Sequence, residues 1–117
     1  LIGKRPPGKI RAGMWEFPGG KEEQGETPEE CLVREITKEE LGEITLEDIR
    51  PWLEWDHRYP NGDFFHFSAL RCRIVGDPIA RHHVEIRWVA PEEFDQYEFL
   101  EADMVLVDAL KNVQKAT

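Results

Sequence analysis

Residues 27–42, TPEECLVREITKEELG, carry their own start and stop signals and therefore fix a helix before any other element is considered. Thr27 suits the N-cap, Pro28 the first helical position, and Glu30 completes a capping box. Leu32, Val33, Ile36 and Leu41 form an apolar stripe, and Gly42 supplies the stop. Glu35 and Glu39, at i and i+4, face the same way and can share a hard divalent cation. Arg34 adjoins them and can orient a carboxylate. Glutamates on a helix usually mark only a solvated face, since Glu is a good helix former. The upstream Gly19-Gly20 turn adds to the pattern by letting bare backbone approach whatever the helix binds.

The flanking segments read as strands. LIGKRP is a short strand ended by Pro6 and Pro7, MWEF a second, and DIRPWLEWDHRYP a third, followed by a hairpin turn at Asn61-Gly62. DFFHFSALRCRIV returns from that turn, EIRWVA is a further strand, and PEEF opens a short helix at Pro91. EADMVLVDALKNV is an amphipathic C-terminal helix. At 117 residues the chain fits one domain spanning 1–117, and strands with helices in the middle and at the end suggest an α/β fold with a mixed sheet between helical layers. LIGKRP reads as the second half of a strand, so a preceding N-terminal segment is expected to be missing.

Charge is unevenly spread. Lys4, Arg5, Lys9, Arg11 and Lys21 face a single Glu16 in residues 1–21, whereas residues 22–49 carry eleven acids against Arg34 and Lys38. A basic segment followed by an acidic one suits a polyanion bound through a divalent cation, although a solvated helix surface has the same composition. The net charge of −9 argues against stable nucleic-acid binding. No apolar run is long enough to span a bilayer. Cys31 and Cys72 read as buried free thiols in a reducing cytosol, which makes the expected compartment cytoplasmic.

GGKEEQGETPEECLVREITKEELGEI resembles the Nudix box, G-x5-E-x7-R-E-U-x-E-E-x-G-U with U aliphatic, and Gly20, Glu26, Arg34, Glu35 and Ile36 fall in register. GMWEFPGGK, EIRWVAPEEF and LEADMVLVDAL resemble the MutT-like branch more narrowly. The resemblance implies a Nudix α/β/α sandwich, lacking here its first strand, and a Mg²⁺-dependent enzyme (Mn²⁺ serving also). The implied reaction releases nucleoside monophosphate and pyrophosphate from a nucleoside triphosphate, with oxidised nucleotides such as 8-oxo-dGTP as candidate substrates. It implies that Glu35 is a metal ligand and the base for water, Glu39 a second ligand and the Gly19 carbonyl a third. Arg34 would orient Glu35, Glu26 would brace the loop, and Arg5 and Lys21 would contact phosphates. Asp103 matches a base-contacting position, where the plain alternative is a helix N-cap. Tyr59, Phe65 and Phe67 could stack on the base or simply pack, and Trp15, Trp52 and Trp88 are assigned to packing.

Two departures stand out. The box is one residue too long between Glu35 and Gly42. A regular helix, preferred because it sacrifices no backbone hydrogen bond, keeps Glu39 as ligand and leaves Glu40 about 140° from Glu35. A π-bulge would instead return Glu39 and Glu40 to the family's Glu-Glu positions and Leu41 to its core place. The second departure is His82, which stands where relatives supply an acid; Glu85 is a nearby substitute, and His82 and His83 otherwise read as exposed loop residues. These departures motivate two alternatives: a nucleotide-binding module with weak hydrolysis, and a hydrolase of nucleotide sugars or dinucleotides. A monomer and a homodimer are both compatible with the sequence.

Overall fold

The computed structural model describes residues 1–116, with the side chains of residues 38, 39 and 114–116 outside the description. β1 (Ile2–Lys4) is the central strand of a three-stranded antiparallel sheet, flanked by β2 (Trp15–Glu16) and β5 (Glu85–Arg87). Gly3 lies opposite Glu16 on one side and Ile86 on the other. A parallel bridge between Trp15 and Phe99 continues this sheet, and the expected mixed character resides in that bridge. β3 (Thr45–Arg58) and β4 (Phe64–Val75) form a separate antiparallel ribbon.

Alternation along β1 sends neighbouring side chains into two different cores. Ile2 and Trp15 join Phe94, Phe99 and Val107, the last from α2 (Met104–Ala116). On the other face Leu1 and Ile86 pack against Ile36, Leu41 and Ile44, together with Leu32, Leu46 and Ile74. The first sheet therefore lies between α2 and the central helix, which is the expected α/β/α layering.

The central helix begins as its sequence dictates. In α1 (Pro28–Arg34) Thr27 Oγ1 accepts from Glu30 N–H at 3.1 Å, and Glu30 Oε1 accepts from Thr27 N–H at 3.0 Å. After Arg34 the backbone widens into a π-helix over Glu35–Glu40, with Leu41 N–H donating to Ile36 O at 3.0 Å. The regular helix expected here is therefore incorrect. Ile36 and Leu41 are five residues apart, which would splay them by about 140° on an α-helix. The wider turn lets both enter one core, where they are 4% and 1% exposed. Burying a Leu side chain stabilises by roughly 1.5–3 kcal/mol, which offsets the poorer helical geometry. Gly42, at φ +84, then ends the element.

The ribbon's strands are shifted relative to the sequence reading. β3 starts at Thr45 rather than Asp48 and runs through Pro51, with one register shift between Glu47 and Arg50 and a second between Pro51 and Leu53, next to a residue that offers no ladder N–H. The Asn61-Gly62 turn is present but sits within a longer connection, closed by Tyr59 N–H to Asp63 O at 2.7 Å. Asn61 Oδ1 accepts from Asp63 N–H, which explains the extra length. Trp55 Nε1 donates to Ala102 O at 2.9 Å and pins the ribbon to the start of the C-terminal helix.

A 3₁₀ turn covers Pro91–Gln96, and a second, Glu101–Asp103, leads into α2. Trp15 is core, as expected, but Trp88 lies just past the last paired residue of β5 and is 65% exposed. Cys31 is buried while Cys72, on β4, is exposed. Among the described residues, no helix is long and apolar enough to cross a membrane.

Deleting Thr37 should convert the π-turn into a regular α-helix, bringing Ile36 and Leu41 four residues apart. The expected result is retained helical circular dichroism and a thermal midpoint raised by about 2–5 °C. A lower midpoint would contradict the packing account of the π-turn.

Candidate active site

The central helix meets the Gly19-Gly20 turn at two carboxylates. Gly19 N–H donates to Glu40 Oε2 at 3.0 Å. A Cβ on Gly20 would lie 2.2 Å from Glu35 Cδ, so only glycine lets the Glu35 side chain lie against this turn. The π-turn is what makes both contacts compatible. Glu40, five residues after Glu35, is brought round to the same turn and is 6% exposed. Of the two helix geometries considered for Glu40, the backbone adopts the π-turn. Glu39 carries one of the expected ligand roles, and its side chain lies outside the described residues.

Arg34 organises the surrounding acids. Its Nε and Nη2 donate to the two oxygens of Glu26 at 2.7 and 3.0 Å, a bidentate pair, while Nη1 donates to Glu35 Oε1 at 2.8 Å. Nη2 also donates to the Lys21 carbonyl at 2.9 Å, tying the loop to the helix. The hydrogen bonds from Arg34 lower the Glu26 carboxyl to about 2. The same bonds, from Glu26 first and Glu35 second, raise the Arg34 guanidinium above its ordinary value. Buried Cys31, with Sγ 3.6 Å from Gly20 O, has its thiol pushed up by burial.

Asp103 sits at the other end of this region, half-buried, and accepts from Phe17 N–H at 3.3 Å. Burial raises its carboxyl to about 7, against the opposing Phe17 hydrogen bond. Tyr59 stands edge-on to His57 at 4.7 Å and to Phe65 at 5.8 Å. Burial, with Asp103 adding to it, pushes the Tyr59 hydroxyl up. The Arg11 guanidinium lies 4.3 Å over the Tyr59 ring, and Lys21 Nζ lies 5.1 Å over Phe65. Basic side chains thus line an aromatic wall that leads from the Gly19-Gly20 turn towards Asp103. Phe67, by contrast, stacks on Trp55 at 5.2 Å.

Arg5 is held differently from the sequence expectation of a phosphate contact alone. Its Nη1 donates to Glu16 Oε1 at 2.8 Å and its Nε to Ile10 O at 2.9 Å. The other Glu16 oxygen lies 2.9 Å from His83 Nε2. Burial pushes the Glu16 carboxyl up, but hydrogen bonds from His83 and Arg5 outweigh it and leave it lowered. His83 was expected on the surface; it is buried at 4% exposure, its ring flat against Gly3. The lone acid in the basic N-terminal segment, Glu16, was the available signal for this pairing. Glu85 is engaged with Arg87 on β5. Among the described residues, the group of three metal-capable side chains is Glu16, His82 and His83, and Glu35 and Glu40 do not join it.

The titration of Asp103 sets a pH dependence. Its folded value lies above its ordinary 3.8, so between about pH 4 and 7 the folded state keeps a proton that the unfolded state releases. Stability should therefore fall as pH rises through that window and level off above it. Asp103→Asn should remove this component of the slope in urea unfolding measured from pH 4 to 8; an unchanged slope would refute the assignment.

The chain as a whole is similar to known proteins. Residues 1–109 match the family profile described as a NUDIX domain. The CTP pyrophosphohydrolase of Escherichia coli (strain K12) is 34% identical over 118 aligned residues, covering 99% of this chain and 84% of that protein. The 8-oxo-dGTP diphosphatase of Haemophilus influenzae is 34% identical over 93% of this chain and 79% of its own length. A solved MutT structure, from work on the Aliivibrio salmonicida and Vibrio cholerae proteins, superposes with a TM-score of 0.76 at 34% identity, covering 93% of this chain and 82% of that one. With the helix, its capping box and the glycine turn in place, and hydrolases among its relatives, the chain belongs to the Nudix family of hydrolases.

Proposed function

We propose that this protein is a divalent-metal-dependent nucleoside triphosphate pyrophosphohydrolase, releasing nucleoside monophosphate and pyrophosphate, with CTP and 8-oxo-dGTP as the first substrates to test. The observation that carries the reading is the bond network that fixes Glu35: Arg34 holds it at 2.8 Å while gripping Glu26 with two further bonds. The donor set fits a hard cation. Glu35 and Glu40 supply carboxylate oxygens at a turn where a Cβ on Gly20 would intrude, and the Gly19 carbonyl adds a neutral oxygen. Mg²⁺ is the ion such oxygens suit, with Mn²⁺ as an alternative, and Glu39 is assigned to the same cluster. Bound there, the cation supplies charge neutralisation on the polyphosphate and lowers the pKa of water.

The residues of the chain do the rest. Glu35, oriented by Arg34, takes the proton from the attacking water. Glu26 acts only by bracing Arg34. Lys21 and Arg5 offer positive charge to the phosphates, Lys21 from above Phe65 and Arg5 from its bond with Glu16. Tyr59 offers a face for the nucleobase, and Asp103 a carboxyl that donates or accepts according to its protonation. A carboxyl able to do both suits bases with amino or ring N–H groups, which include cytosine, guanine and oxidised guanine.

The test is release of monophosphate and pyrophosphate from a triphosphate panel with Mg²⁺, with an EDTA control. Turnover of at least one member, abolished by EDTA, is expected. Glu35→Gln should lower kcat on the order of 10²–10⁴-fold while leaving the thermal midpoint nearly unchanged. Nucleotide binding without product, or full activity in Glu35→Gln, would overturn the assignment.

A further inference from the structure

We infer that Glu16, His82 and His83 form a second cation site, selective for a borderline transition metal such as Zn²⁺ and built from residues the Glu35–Glu40 cluster does not use. One donor atom from each of the three lies within 4.8 Å of the others. They come from two segments, β2 and the loop before β5, so the cluster is a product of folding rather than of sequence adjacency alone.

The site is pre-organised. The His83 ring is fully enclosed and lies so close over Gly3 that a Cβ there would sit 2.5 Å from it. Its Nε2 is 2.9 Å from Glu16 Oε2, a separation that two donors on one small cation can share. Its Nδ1 is buried without a hydrogen-bond partner, so the ring's two nitrogens are not both satisfied by the protein. His82 stands edge-on to His83, with ring centroids 4.9 Å apart. Arg5 Nη1, bonded at 2.8 Å to Glu16 Oε1, fixes the carboxylate from behind and leaves Oε2 towards the histidines.

Charge decides which ion fits. Arg5 offsets the single negative charge of Glu16, and Lys9 adds positive potential near His82. A nearly neutral donor set offers little to Mg²⁺ or Ca²⁺, which depend on several charged oxygens. Two imidazoles and one carboxylate instead make the three-ligand set that Zn²⁺ accepts with an open fourth position. An ion held there would tie β2 to the loop whose Arg81 N–H donates to Glu40 O at 3.0 Å and whose Val84 N–H donates to Lys4 O at 2.9 Å. Occupancy would then stiffen the connection between the first sheet and the end of the π-turn.

The experiment uses metal-free full-length protein with Mg²⁺ at millimolar concentration, titrated with Co²⁺ and then with Zn²⁺ as competitor. One equivalent of Co²⁺ should give visible ligand-field absorption that Zn²⁺ removes, and Zn²⁺ should raise the thermal midpoint. His82→Asn changes a side chain that is not buried, leaves the His83–Glu16 pair in place, and should weaken Co²⁺ binding at least 10-fold. Glu35→Gln should leave Co²⁺ binding within about 2-fold of the unaltered protein, on the scale where 1.4 kcal/mol is tenfold. Absence of the absorption, equal affinity in His82→Asn, or loss of binding in Glu35→Gln alone would overturn the inference. None of these readouts depends on nucleotide hydrolysis.

Discussion

Ile36 and Leu41 have to be buried together although they are five residues apart, and most of the candidate site follows from how the helix meets that demand. A regular α-helix would put them on different faces. The π-turn aligns them in the core beneath β1 and, as a consequence, swings Glu40 onto the Gly19 N–H. The packing of Leu41 and the contact of Glu40 with the glycine turn thus follow from one backbone change. Widened helical turns are often found at functional positions, and here the packing of Leu41 supplies the cause.

The remaining geometry depends on close backbone approach at glycines. Gly20 admits Glu35, and Gly3 admits the ring of His83; neither position tolerates a Cβ without displacing an acid or an imidazole. Around these contacts the charges are arranged in pairs rather than scattered. Arg34 joins Glu26 and Glu35, and Arg5 joins Glu16, which in turn meets His83. Asp103 stands apart from these pairs as a half-buried carboxyl raised to about 7 by desolvation, so that near pH 7 it is divided between its protonated and ionised forms. The chain therefore separates two kinds of acid: paired ones at the turn and an isolated one by the aromatic wall.

Local chemistry made much of this legible. The Thr27–Glu30 capping box, Pro28 at the first helical position and the Gly42 stop are all decided by neighbours within a few residues, and all appear in the structure. The resemblance to the Nudix box gave Glu26 a bracing role in the loop but not its bidentate pairing with Arg34, a partner eight residues away. The π-turn could be posed as an alternative but not chosen, since the deciding contact, Leu41 against Ile36 and Ile44, is tertiary. His83 could not be read as buried, because its seat is a glycine on a strand 80 residues earlier. The extension of β3 back to Thr45 was hidden by the irregularity at Asp48, which sits at φ +53 where the register shifts between Glu47 and Arg50.

Glu35 and Glu40 are proposed to converge on the Gly19-Gly20 turn and to hold a divalent cation there. Anomalous scattering from a crystal grown with Mn²⁺ and a non-hydrolysable nucleoside triphosphate tests it directly. An Mn²⁺ peak is expected about 2.0–2.3 Å from carboxylate oxygens of Glu35 and Glu40, with the triphosphate alongside. A peak that excludes Glu40, with the helix regular through Glu35–Glu40, would contradict it.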